Sequence, residues 1–117
     1  MEKTVIIDGK EVRMRASALI PRRYREKFGR DVVQDMNNLA QNFVKAKGKS
    51  EQLSAFDLGV FENLAWCFAK DADPTIPDTP DEWLDQMEGM FSLYEVLPQM
   101  LELWTASSRT VSVPRKK

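Results

Sequence analysis

The sequence predicts a mainly α-helical, small single α+β domain, with about five helices following an N-terminal β-hairpin. Three observations predict it. Two alternating apolar segments flank Asp8-Gly9. Most of the remaining chain repeats its apolar residues at three- and four-residue spacing. Several of those repeats are preceded by helix-start residues: Asp31, Ser54, Thr79 and Ser92. The chain has 117 residues, which suits one domain, and 43% of them are apolar, which suits a buried core.

In the hairpin, Thr4–Ile7 and Glu11–Arg15 flank Asp8-Gly9, a pair that supplies the positive φ angles of a type I′ turn. A two-residue loop pairs Ile7 with Lys10, Val5 with Val12 and Lys3 with Met14. Val5, Ile7, Val12 and Met14 then share one apolar face, and Thr4, Ile6, Glu11, Arg13 and Arg15 share the other. A lone hairpin is marginal in water, so the apolar face is expected to pack on the helices.

Pro21 is expected to open a first helix over Arg22–Phe28, and Gly29 to stop it. Asp31 caps a second, running to about Lys47, with Val32, Val33, Met36, Leu39, Ala40, Phe43 and Val44 as its apolar stripe. Ala46 to Gln52 reads as a loop. Ser54 and Asp57 open a third helix. Its stripe is Phe61, Leu64, Ala65 and Phe68, widened by Phe56 and Val60, and it ends before Asp73-Pro74. A proline-punctuated connection, Asp73 to Pro80, is expected to be well ordered. Thr79-Pro80-Asp81-Glu82 is the strongest helix start in the chain, and this fourth helix carries Trp83, Leu84 and Met87 before fading at Gly89. Ser92 opens the fifth, lined by Leu93, Val96, Leu97, Met100, Leu101 and Trp104 and interrupted by Pro98, which is expected to kink it. The domain is therefore expected over 1–106, with the hairpin over 3–16, and 107–117 is expected to be a flexible basic tail.

Chemistry is sparse. The absence of histidine removes the commonest general base and metal ligand. Cys67 is the only cysteine, so no internal disulfide can form, which fits a reducing compartment, and between Trp66 and Phe68 it reads as a small buried hydrophobe. Asp71, Asp73, Thr75 and Glu82 have the spacing of a calcium loop, but Ile76 stands where that loop needs glycine and three prolines obstruct its path. No phosphate-binding glycine loop is present. Arg22, Arg23, Arg25, Lys27 and Arg30 form the one basic cluster. The chain carries 17 basic and 18 acidic residues, so this cluster reads as a solvated face or as ion pairs with a partner protein rather than as a nucleic-acid site. No stretch suits a signal peptide or a membrane span. The residues point to a binding protein of the cell interior, not an enzyme, and no cofactor or metal is expected.

Five stretches, in order, carry a resemblance: Val5-Ile-Ile-Asp-Gly-Lys-Glu-Val-Arg-Met-Arg-Ala16; Pro21-Arg-Arg-Tyr-Arg-Glu-Lys-Phe-Gly-Arg-Asp31; Phe61-Glu-Asn-Leu-Ala-Trp-Cys-Phe-Ala-Lys70 with Ala72-Asp-Pro74; Asp81-Glu-Trp-Leu-Asp85; and Phe91-Ser-Leu-Tyr-Glu-Val-Leu-Pro-Gln-Met-Leu-Glu-Leu-Trp104. Together they resemble the tail assembly chaperones encoded by tailed phages and prophages of Gram-positive bacteria. The resemblance implies a role in the host cytoplasm during virion assembly: coating the tape measure protein, recruiting major tail tube subunits around it, and leaving before the virion is complete. It also implies two forms made by a programmed ribosomal frameshift, this chain being the short one. Adjacent lysine codons at Lys116-Lys117 suggest where the slip would lie. The resemblance brings no catalytic residues.

The expected partners are the tape measure protein and the tail tube protein, with self-association as a further option, and neither nucleic acid nor membrane. Trp83, Met87, Met90 and Phe91 are the candidate contacts, since the fourth helix is too short to bury all of them. The alternative is a permanent head–tail connector or tail terminator protein, which would remain in purified virions. A DNA-binding regulator using Arg22–Arg30 is a third reading, marked by salt-dependent binding.

Overall fold

Asp8 and Gly9 both take positive φ, 54° and 78°, as the type I′ turn requires. They join β1 (Glu2–Ile7) to β2 (Lys10–Arg15), followed by α1 (Leu19–Phe28), α2 (Val32–Lys47), α3 (Ala55–Ala72), α4 (Pro80–Asp85) and α5 (Leu93–Ser112). The computed structural model describes the backbone of residues 1–47, 53–87 and 93–112 and the side chains of 1–46, 53–87 and 95–107. The antiparallel register pairs Ile7 with Lys10, Val5 with Val12 and Lys3 with Met14, as the two-residue loop predicts. Val5, Ile7 and Met14 are buried and Val12 is half-buried, so the predicted face is the packed one. The outer edge of β1 is covered by a side chain of α5. Gln99 accepts the Ile6 N–H at 3.2 Å and donates to the Ile6 carbonyl at 3.4 Å, in the manner of a neighbouring strand.

The helix boundaries follow the capping chemistry with two exceptions. Asp31 Oδ1 accepts the backbone N–H of Val33 at 2.8 Å, Ser54 Oγ that of Asp57 at 3.1 Å, and Thr79 Oγ1 that of Glu82 at 3.2 Å. Gly29, at φ 68°, closes α1 by donating to the Arg25 carbonyl. The first exception is the start of α1, which begins at Leu19 rather than beside Pro21. Proline anywhere in the first turn loses no intrahelical bond, and Ser17 Oγ takes the Leu19 N–H at 3.2 Å. The second is the end of α5. It runs through the predicted tail boundary to Ser112, and Ser107 is buried. Neither glycine nor proline stands between Pro98 and Pro114 to stop it. Pro98 is accommodated inside the helix with its ring exposed. In addition, Ala46 is the buried end of the α2 stripe, not part of a loop. Residues 48–52 of that loop and the Ser92 cap lie outside the described residues. Helix α4 ends at Asp85 with Gln86 as its C-cap, short of the predicted end at Gly89, so Met87 lies past the helix rather than on it.

Helix α3 is the centre of the molecule and packs against β2, α1, α2, α4 and α5. Leu64, Ala65, Trp66, Cys67, Phe68 and Ala69 are consecutive and all buried, so this half of the helix is enclosed on every side rather than along one stripe. Phe56, expected to widen that stripe, is instead 59% exposed. Helix α5 closes the other side of the core, contributing Val96, Leu97, Met100 and Leu103 between α3 and β1. Leu101 and Trp104 are half-buried at its margin, Trp104 with its ring 6.3 Å from that of Phe68.

The proline-punctuated connection is ordered by two side chains of α3. Trp66 Nε1 donates to the Pro77 carbonyl at 2.8 Å. Lys70 Nζ donates to the carbonyls of Pro74 and Ile76 and to Asp78, the first and last at 3.0 Å. Three prolines remove donors from this segment, so its carbonyls must find partners elsewhere, and one ammonium with three protons meets several of them.

Candidate partner-binding surfaces

The four sequence-predicted contact residues do not form an exposed cluster among the described residues. Trp83 is 3% exposed and packs into the core, which removes it as a surface anchor. Thr79 and Pro80 start α4 tightly enough to turn the indole inward, so one short helix buries its largest side chain. Met87 is half-buried. With Ile7, Val12 and Trp83 it lines a cavity of about 190 Å³ between the hairpin tip and α4. Met90 and Phe91 lie outside the described residues.

Large apolar side chains reach water elsewhere. Val33 and Val44 on α2 are 50% and 68% exposed, and Phe56 and Leu58 on α3 are 59% and 42% exposed. Val33, Val44 and Phe56, expected on core stripes, are therefore surface residues. The α2 core stripe is narrower: Val32, Met36, Leu39, Phe43 and Ala46 are buried. Val33, Asn37, Ala40 and Val44 form a second line, displaced by one residue and so about 100° round the helix axis. Their spacing of four, three and four residues is that of the contacting positions of a coiled coil, with a polar Asn at one of them.

Phe56 is tied to the start of α2. The Arg30 guanidinium stands 4.7 Å above its ring. The same guanidinium forks onto Asp35, with Nε at 2.7 Å from Oδ2 and Nη2 at 2.9 Å from Oδ1. Asp35 Oδ2 also accepts the fully buried Tyr24 hydroxyl at 2.6 Å. Arg30's hydrogen bonds hold the Asp35 carboxyl below its ordinary range; burial opposes this and the Tyr24 hydroxyl assists it. Burial first, then the hydrogen bond to Asp35, pushes the Tyr24 phenol well above its ordinary range. This network joins α1 to α2 and fixes the direction in which α2 leaves the core.

The basic cluster is divided by its contacts. Arg30 belongs to the network just described, and Arg22 pairs with Glu26 at 3.2 Å. Lys27 lies with its ammonium 5.5 Å from the Trp66 ring centroid. Of the carboxylates with calcium-loop spacing, Asp71 faces Arg15 of β2 at 3.9 Å, and the other two are engaged locally. Asp73 accepts the Thr75 backbone N–H at 3.0 Å and its hydroxyl at 2.7 Å, and Glu82 accepts the Thr79 hydroxyl at 3.1 Å. Among the described residues, no group of three or more carboxylate, cysteine or histidine side chains is placed to hold a metal ion. The Cys67 thiol is fully buried, and burial pushes its pKa up to about 12, so it is an inert core group. Among the same residues, no helix is long and apolar enough to cross a membrane.

No family model, curated protein or solved structure matches the chain.

Proposed function

We propose that this protein is a tail assembly chaperone, which binds helical segments of a tape measure protein in the cytoplasm of a bacterial host and recruits tail tube subunits around them. The structural observation that supports binding most is the second apolar line of α2. Single exposed apolar side chains are ordinary on a protein surface. Val33, Ala40 and Val44 instead share one seam, with coiled-coil spacing and an Asn that can set the register of a partner helix. Tape measure helices expose apolar faces before the tube closes around them, and a seam of this kind covers such a face by side-by-side helix packing. The assignment to tail assembly comes from the ordered sequence resemblance over Val5–Trp104. The contact assignment moves from α4 to α2, because Trp83 is buried.

Mass spectrometry of infected cells and of purified virions tests the reading. The protein should be abundant in lysate fractions that contain the tape measure protein and missing from finished particles. Stoichiometric recovery from virions would replace the chaperone with a permanent connector or terminator.

A further inference from the structure

Beyond the α2 seam, the groove between α1 and α3 holds charge that the fold does not neutralise. It encloses about 430 Å³, with the Trp66 indole in its wall and Leu19, 43% exposed, contributing apolar surface. Four cations line it. Two are already engaged: Arg22 with Glu26 at 3.2 Å, and Lys70 with Asp78 at 3.0 Å and with the carbonyls of the proline connection. The other two are not. Lys27 makes no described ion pair; it stands 5.5 Å from the Trp66 ring and within the field of Asp78, whose main partner is Lys70. Arg23 makes no described ion pair, and its Nη1 is buried without a hydrogen-bond partner. A buried guanidinium nitrogen with no acceptor is costly, and few native groups are left so.

We infer that this groove is a docking site for an acidic, amphipathic segment of a partner protein, whose carboxylates pair with the exposed Lys27 and add negative charge beside Arg23 while its apolar side chains lie on Leu19. Carboxylate is the anion that fits. Ammonium and guanidinium groups both donate charge-assisted hydrogen bonds to it. A nucleic-acid backbone fits poorly, because its sequence-independent binding rests on a net positive field and the whole chain carries a net charge of −1. The groove is separate from the α2 seam, and its test needs no tape measure protein, so the two readings fail independently.

Isothermal titration of the full chain decides it, with three probes: a synthetic amphipathic peptide of Leu and Glu, the same peptide with Gln for Glu, and single-stranded oligothymidylate. The acidic peptide should bind at least about tenfold more tightly than the Gln peptide, with no measurable oligothymidylate binding. Lys27 is exposed, so Lys27→Glu should keep the parent melting temperature while losing about tenfold in affinity for the acidic peptide, and it should gain affinity for a Leu and Lys peptide. Arg23→Met should weaken the acidic peptide similarly. If that variant does not fold, Lys27→Glu alone decides. Tighter binding of oligothymidylate would make the groove a nucleic-acid site. Equal binding of the two peptides, or none, would overturn the proposal and leave Arg23 Nη1 to be met inside the fold.

Discussion

Val5→Asp is expected to unfold the protein. Val5 is fully buried on the packed face of the hairpin, opposite Val12, within the apolar core. Burying an unpaired charge costs on the order of 4 kcal/mol or more, a large part of the roughly 5–15 kcal/mol that holds a domain folded. Ile6→Asp is the matched control. Its side chain points to the opposite face and is 38% exposed, while its backbone bonds to Gln99 do not depend on the side chain. It should cost about 1 kcal/mol or less. Thermal melts by circular dichroism should therefore show a strong loss at position 5 and a small shift at position 6. Equal losses would mean that the register, or the packing of the hairpin on α3 and α5, is wrong.

Removing Asp35 should have the next largest effect. Asp35→Ala leaves the fully buried Tyr24 hydroxyl without its acceptor and costs about 2–4 kcal/mol. Asp35→Asn keeps an acceptor but loses the charge, and it adds a pH signature. The Asp35 carboxyl is lowered in the folded state, chiefly by its hydrogen bonds from Arg30. Its contribution is therefore present above the unfolded carboxylate pKa of about 3.9 and is lost as pH falls through the lower folded value. The melting-temperature gap between parent and Asp35→Asn should be widest near neutral pH, begin to narrow below about pH 4 and close only once the pH is below the lowered folded value. A gap that is constant with pH would mean that Asp35 acts through packing alone.

Local signals carried most of the fold. The Asp8-Gly9 turn specifies the hairpin register by itself, and Asp31, Ser54 and Thr79 mark helix starts because each oxygen meets a nearby N–H of its own helix. Burial was harder to read because it depends on what stands opposite. Val33 and Val44 repeat with the same spacing as the α2 stripe, one residue on, but α1 and α3 cover only the line through Val32, Met36, Leu39 and Phe43. The uninterrupted run Leu64 to Ala69 was the available sign that α3 is enclosed on every side. The Tyr24–Asp35–Arg30 network was missed, though it left a trace. Asp35 falls three residues after Val32, on the buried side of α2, and a carboxylate there requires a partner. The contact surface proposed from α4 failed at Trp83 for a related reason. The length of α4 does not decide its burial, because the hairpin and α3 supply the core against which it packs.

Co-expression with a tape measure protein tests the central claim most directly. The parent chain should keep that protein soluble and co-elute with it on size-exclusion chromatography. The double variant Val33→Asp/Val44→Asp, altered only at exposed positions of α2, should fold with the parent melting temperature and lose the complex. An insoluble tape measure protein with the parent chain would contradict the chaperone reading, and a complex that survives the double variant would contradict the assignment of the contact to α2.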